Sequence, residues 1–102
     1  MNIVSGNIID GIGNISILGY IDMFSNAKMK SELWALVYNR NVTHLSIDLR
    51  DVGYIDSSGI GTLMSFIKML RQSGAKVKVI NLQDKVYSVI RLANLNKFFE
   101  ME

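Results

Sequence analysis

The sequence predicts an α/β domain, a mixed and mostly parallel β-sheet of four to five strands with about three helices packed against it. Three observations carry this. Segments with two-residue apolar alternation take turns with segments whose apolar residues recur every three to four positions, which implies crossover connections and parallel pairing. Asp10-Gly11 sits between the first two strand-like runs, a strong hairpin signal that makes the sheet mixed. The chain has 102 residues, 49% of them hydrophobic and 20% charged, enough for one domain, residues 1–102, with a packed core.

In chain order, Asn2 to Ile9 is strand-like and Gly13 to Leu18 alternates cleanly, with Gly19 ending the second strand. The loop Tyr20-Ile21-Asp22-Met23-Phe24 leads to Ser25, the expected N-cap of a helix running to about Tyr38, with Met29, Leu33, Leu36 and Val37 on one face. Asn39-Arg40-Asn41 closes that helix. The run His44 to Leu49 reads as the third strand, and Arg50-Asp51-Val52-Gly53 as a turn after it. A second helix carries Ile60, Leu63, Met64, Ile67 and Leu70 at the spacing of a single buried face, and Ser73-Gly74 terminates it. Val77, Val79 and Ile80 mark the next strand. Asp84 is the expected cap of a last helix with Val86, Val89, Ile90 and Ala93, and Phe98-Phe99 is expected to begin a short final strand.

Chemistry concentrates at Asp56-Ser57-Ser58-Gly59, a run of helix-starting residues between the third strand and the second helix. Two hydroxyls there lie at or beside a helix N-terminus, where unpaired N–H groups and the helix dipole favour negative charge. Read from the residues alone, the two serines and Asp56 are either caps worth about 1 kcal/mol or a place for phosphate. Gly59 and Gly61 are unusual inside a helix and serve either close packing against the sheet or close approach by a partner. Thr62, Phe66 and Met69 form a second stripe on the same helix, which is either buried or, with Met23 and Phe24, a docking patch.

Other classes are disfavoured by composition. The chain lacks cysteine and has a single histidine, so disulfide frames, thiolate metal sites and histidine clusters are not expected, nor is any cofactor. The net charge of +2 comes from scattered residues, too thin a field for a nucleic-acid surface. No apolar run approaches the roughly 20 residues that span a bilayer and no signal peptide opens the chain, so a cytoplasmic protein without a membrane segment is expected. There is no Gly-x-x-x-x-Gly-Lys loop for nucleotide and no Gly-x-Ser-x-Gly elbow for a serine hydrolase, and His44 has no evident catalytic partner. Asp48, Asp51 and Asp56 lack a further carboxylate pair to complete a metal pocket.

The strand, Asp-Ser-Ser-Gly-Ile-Gly-x-Leu and helix of residues 44–72 resemble the signature of the STAS domain, and more narrowly that of the bacterial anti-sigma factor antagonists. Gly19-Tyr20-Ile21-Asp22, Gly74-Ala75-Lys76-Val77-Lys78-Val79 and Ala93-Asn94-Leu95-Asn96-Lys97-Phe98-Phe99 extend the resemblance over nearly the whole chain. Tyr20 departs from the acidic residue usual at its position. The family commonly adds a C-terminal helix. Only Met101 and Glu102 follow the last expected strand, so that helix is expected to be missing or trimmed.

The resemblance implies a regulator of sigma-factor-dependent transcription that works by partner switching. Unphosphorylated, it binds an anti-sigma factor, often itself a serine kinase; phosphorylated, it does not. By position the acceptor is Ser57, with Ser58 as the fallback. The implied partner surface comprises Asp22, Met23, Phe24, Asp56, Ser57, Ser58, Gly59, Thr62 and Phe66. Two alternatives stay open, a STAS scaffold or ligand-sensing module without a phosphorylation cycle and a small hydrolase using Ser57 or Ser58. An exposed strand edge also leaves room for a homodimer.

Overall fold

A computed structural model describes residues 2–99. The elements run β1 (Asn2–Ile9), β2 (Ile12–Ile21), α1 (Asn26–Val37), β3 (His44–Ile55), α2 (Ser57–Gln72), β4 (Lys76–Ile80), α3 (Asp84–Leu92) and α4 (Asn96–Phe99). The four strands form one sheet in the order β1-β2-β3-β4, with β1 antiparallel to β2 and the other neighbours parallel. The expected α/β class therefore holds, with four strands and a fourth, single-turn helix.

The hairpin forms where Asp10-Gly11 predicts it, both residues having positive φ (53° and 80°) as a two-residue turn of this hand requires. Gly19 does not end β2; the strand passes through it, with φ 112°, and continues to Ile21. Helices α1, α2 and α3 bury Met29, Leu33, Ile60, Leu63, Ile67, Val86 and Ile90 together with Ile15, Ile17, Leu45, Ile47, Val77 and Val79 in one core. The opposite face of the sheet stays open, with Ile3, Leu18, Tyr20 and Tyr54 exposed on it.

Three further local expectations are corrected. Arg50-Asp51-Val52-Gly53 is not a turn: β3 continues through it to Ile55. Pairing with β2 holds because β3 carries extra residues at two irregularities, between the Ser16–Asp48 and Leu18–Asp51 pairs and between the Gly19–Val52 and Tyr20–Tyr54 pairs. Bulges admit residues that otherwise signal turns. They also keep the strand's apolar side inward, since Leu49, Val52 and Ile55 are all buried although three apart. Phe98-Phe99 does not start a strand. Asn94, at φ 59°, ends the preceding turn, and Phe99 N–H donates to Leu95 O at 3.1 Å in helical fashion while its ring is buried. Asp84 is the first residue of α3 rather than its cap. Gln83 takes the cap position and uses its Nε2 to donate to Arg50 O (2.8 Å). Helix α2 ends as expected: Gly74 adopts φ 101°, its N–H donates to Arg71 O, and Ala75 N–H donates to Leu70 O, the paired bonds of a Schellman stop. Met101 and Glu102, on which the expectation of a missing helix rests, lie outside the described residues.

Candidate functional site

Strands β2 and β3 end side by side, with Ile21 opposite Ile55. β3 enters α2 through Asp56 alone and β2 reaches α1 through residues 22–25, so the β2–α1 loop and the start of α2 share one end of the sheet. Asp56 N–H donates to Ile21 O (3.1 Å) and fixes the two exits together.

Asp56 is the N-cap of α2. It has the extended backbone of that position, and its Oδ1 accepts from Gly59 N–H at 2.8 Å. The same oxygen accepts from the Ser58 hydroxyl (2.9 Å), and Oδ2 accepts from Met23 N–H across the loop (3.1 Å). Asp56 is thus both a helix cap and a strut for the neighbouring loop. The bond from Gly59 N–H holds its carboxyl below the usual carboxylate range, against a smaller opposing cost of desolvation; the Ser58 hydroxyl and the Met23 N–H push the same way as Gly59.

Asp22 plays the corresponding part in the other loop. Its Oδ1 accepts from Phe24 N–H (3.0 Å), Ser25 N–H (3.0 Å) and the Ser25 hydroxyl (2.9 Å). Ser25 stands at the N-cap of α1 as expected, but its hydroxyl makes no bond into the helix; it points back to Tyr20 O (2.9 Å) and is buried. The braced loop leaves Met23 and Phe24 outside, with 68% and 89% of their surface exposed. Two apolar side chains held that far into solvent by a hydrogen-bonded loop have the form of a contact surface.

The two serines differ. Both are exposed, but Ser58 Oγ donates to Asp56 and accepts from Asn26 Nδ2 (3.1 Å), whereas no side-chain hydrogen bond engages the Ser57 hydroxyl among the described residues. Ser57 is the first residue of α2, pointing its hydroxyl into water beside the free end of the helix dipole.

Two residues of the expected partner surface lie elsewhere. Phe66 is in the core, 2% exposed, with its ring edge-on to Trp34 at 5.2 Å, because α2 has apolar neighbours on two sides, the sheet and α1. Gly59 is buried too. A Cβ there would stand 2.4 Å from Ile21 O, so the glycine lets α2 approach the end of β2. Gly61 has open space around it and Thr62 is half-buried, so these two stay beside the serines at the surface. Asn26 was not legible as a site residue, since its bond to Ser58 spans 32 positions and no local pattern announces it.

His44 opens β3 and Asp56 follows its far end, about 30 Å away at strand rise over the paired length of β2, so histidine cannot serve either serine as a base. Its Nδ1 lies 3.1 Å from Thr43 Oγ1. Asp48 is likewise occupied locally, accepting from Arg50 N–H (2.9 Å) and Asn81 Nδ2 (3.2 Å). Among the described residues, no three His, Asp or Glu side chains gather as metal ligands, and no helix is long and apolar enough to cross a membrane.

Comparison with known proteins places the sequence and the fold. An anti-sigma-B factor antagonist of Listeria monocytogenes is 28% identical over 89 residues, covering 87% of this chain and 77% of that protein. One of Bacillus subtilis is 28% identical over 87 residues, covering 85% and 78%. The crystal structure of an anti-sigma factor antagonist from Mycobacterium paratuberculosis has the same fold, with a TM-score of 0.85 at 24% identity over 99% of this chain and 85% of that one. The STAS domain model matches residues 5–102, and the chain belongs to that family.

Proposed function

We propose that this protein is an anti-sigma factor antagonist, a non-enzymatic cytoplasmic regulator that binds an anti-sigma factor when unmodified and releases it when Ser57 is phosphorylated. The observation that carries the reading is the Ser57 hydroxyl, unbonded and exposed at the first residue of a sixteen-residue helix, beside the exposed Met23–Phe24 loop. The names of the relatives favour the role, and the geometry favours the switch.

Phosphoryl transfer to Ser57 would add about −1.5 to −2 charges at neutral pH. The helix N-terminus tolerates that charge, so the fold need not change. A docking surface fitted to Asp22, Met23, Phe24, Asp56, Ser57, Ser58 and Thr62 would instead meet a dianion next to the Asp56 carboxylate. A penalty of about 3 kcal/mol weakens binding more than a hundredfold, which suffices to exchange partners. The partner is an anti-sigma factor of the serine-kinase type, which takes the phosphate from ATP. Titration calorimetry with the candidate anti-sigma factor tests this: Ser57→Ala should bind as the wild type does, and Ser57→Asp about a hundredfold more weakly. Equal, tight binding by both variants would remove the switch.

A further inference from the structure

The adjacent serines pose a selection problem, because exposure does not separate them: both lie at the surface of the same helical turn. Hydrogen bonding does. The Ser58 hydroxyl is held from two sides, giving its proton to Asp56 Oδ1 at 2.9 Å and receiving Asn26 Nδ2 at 3.1 Å. Asn26 is the first residue of α1, and its other amide atom, Oδ1, is buried without a partner. Among the described residues, that leaves Ser58 as the one side-chain partner of the amide. Because the Ser58 proton goes to Asp56, only the N–H side of the amide can face that hydroxyl.

We propose that Asn26 is a positioning residue that selects the acceptor: by holding Ser58 against Asp56 it leaves Ser57 as the one of the two adjacent hydroxyls open to phosphorylation. The inference rests on the reading of this site as a phosphorylated switch. In the transfer, the acceptor oxygen forms a bond to the γ-phosphorus of ATP, the bond from that phosphorus to the bridging oxygen of ADP breaks, and the hydroxyl proton passes to a base on the kinase. Ser58 is poorly placed for each part. Its proton is already given to Asp56, one of its lone pairs faces the Asn26 amide, and an attached phosphate would replace an O–H···O⁻ contact with an anion against a carboxylate. Ser57 carries neither hydrogen bond; its phosphate would also lie near Asp56, but without displacing a contact to it.

The test uses wild-type protein, Asn26→Ala, Ser57→Ala and the double variant, each incubated with Mg-ATP and the anti-sigma kinase that modifies the wild type, with the phosphate located by mass spectrometry. Wild type should be labelled on Ser57, and Ser57→Ala should fall to background. The double variant should regain label on Ser58, about tenfold above Ser57→Ala, as expected for freeing one hydrogen-bonded group. Labelling of Ser58 in Ser57→Ala as fast as in the double variant would overturn the inference while leaving the switch intact. A wild type that no kinase labels would count against the switch itself. The clamp is then judged without a kinase, by hydroxyl-proton exchange in NMR spectra at low temperature. The Ser58 hydroxyl should exchange more slowly than that of Ser57 in wild type and lose that protection in Asn26→Ala. Equal exchange of the two in wild type would overturn the inference.

Discussion

The starts of α1 and α2 are built from the same parts and put to opposite uses. Each follows the end of a parallel strand, each has an aspartate collecting N–H groups of the next turn, and each sets a serine close behind it. At α1 the Ser25 hydroxyl is buried within hydrogen-bond distance of both Asp22 Oδ1 and Tyr20 O, which share its one proton, so the serine is an internal brace. At α2 both serines are exposed, and among the described residues no side-chain hydrogen bond holds the Ser57 hydroxyl. Local sequence marks both as caps; the tertiary setting decides which hydroxyl is structural and which is available.

Charge placed at the open end gives the largest expected contrast. Ser57→Asp should lower affinity for the anti-sigma factor about a hundredfold with little change in melting temperature, whereas Ser25→Asp should prevent stable folding by burying an unpaired charge. The next effect concerns how closely α2 approaches β2. Gly59→Ala would drive a methyl into the backbone oxygen of Ile21 and should cost about 1–3 kcal/mol in chemical denaturation. Gly61→Ala, two residues on and in open space, should instead stabilise by about 0.5–1 kcal/mol. Ser25→Ala should cost about 1–2 kcal/mol and Ser57→Ala less than about 0.5; equal costs would erase the distinction between the two starts.

The smallest effect is one of pH. Asparagine caps a helix about as well as aspartate, so Asp56→Asn should be mild. Because the carboxyl of Asp56 lies below its ordinary value of 3.8 in the folded protein, ionised Asp56 contributes stability that is fully present above that value. That contribution disappears as pH falls from 3.8 through the lower folded value. The gap in melting temperature between wild type and Asp56→Asn should therefore narrow as pH drops through that interval. A gap independent of pH would mean that the carboxylate's charge is not what the Gly59 and Met23 bonds use.

The hairpin, the long helices and the location of the serines were legible in the sequence because each depends on near neighbours: Asp10-Gly11 for the turn, the three-and-four spacing of Ile60, Leu63 and Ile67 for α2, Ser73-Gly74 for its end. The misreadings share a different cause. Asp51-Val52-Gly53 looks like a turn because the β2 strand that keeps it extended is some thirty residues away. Phe98-Phe99 has strand-forming residues, but its conformation follows from the burial of Phe99 in the core and from Arg71, whose guanidinium lies 5.0 Å from the Phe98 ring and donates to Phe98 O. Helical periodicity leaves Phe66 open to a partner because it cannot say that a second helix lies over the outer stripe. The Asn26–Ser58 bond is invisible to it for the same reason. Short-range pattern finds elements and caps; it cannot find a contact whose two halves fold together only at the end.

The two irregularities in β3 have a reach beyond their own pairing. From the first matched pair to the last, β2 advances nine residues and β3 eleven, yet Ile21 and Ile55 finish level. The surplus is taken up sideways. Drawn out straight, the third strand would overshoot its neighbour by two residues, about 7 Å, and carry Asp56 beyond the reach of the Met23 amide. Trimming a residue near Arg50 or Gly53 would thus retune the spacing between the serines and the Met23–Phe24 tip without altering any group at either. A residue count in the middle of a strand sets how the two loops at the end of the sheet meet.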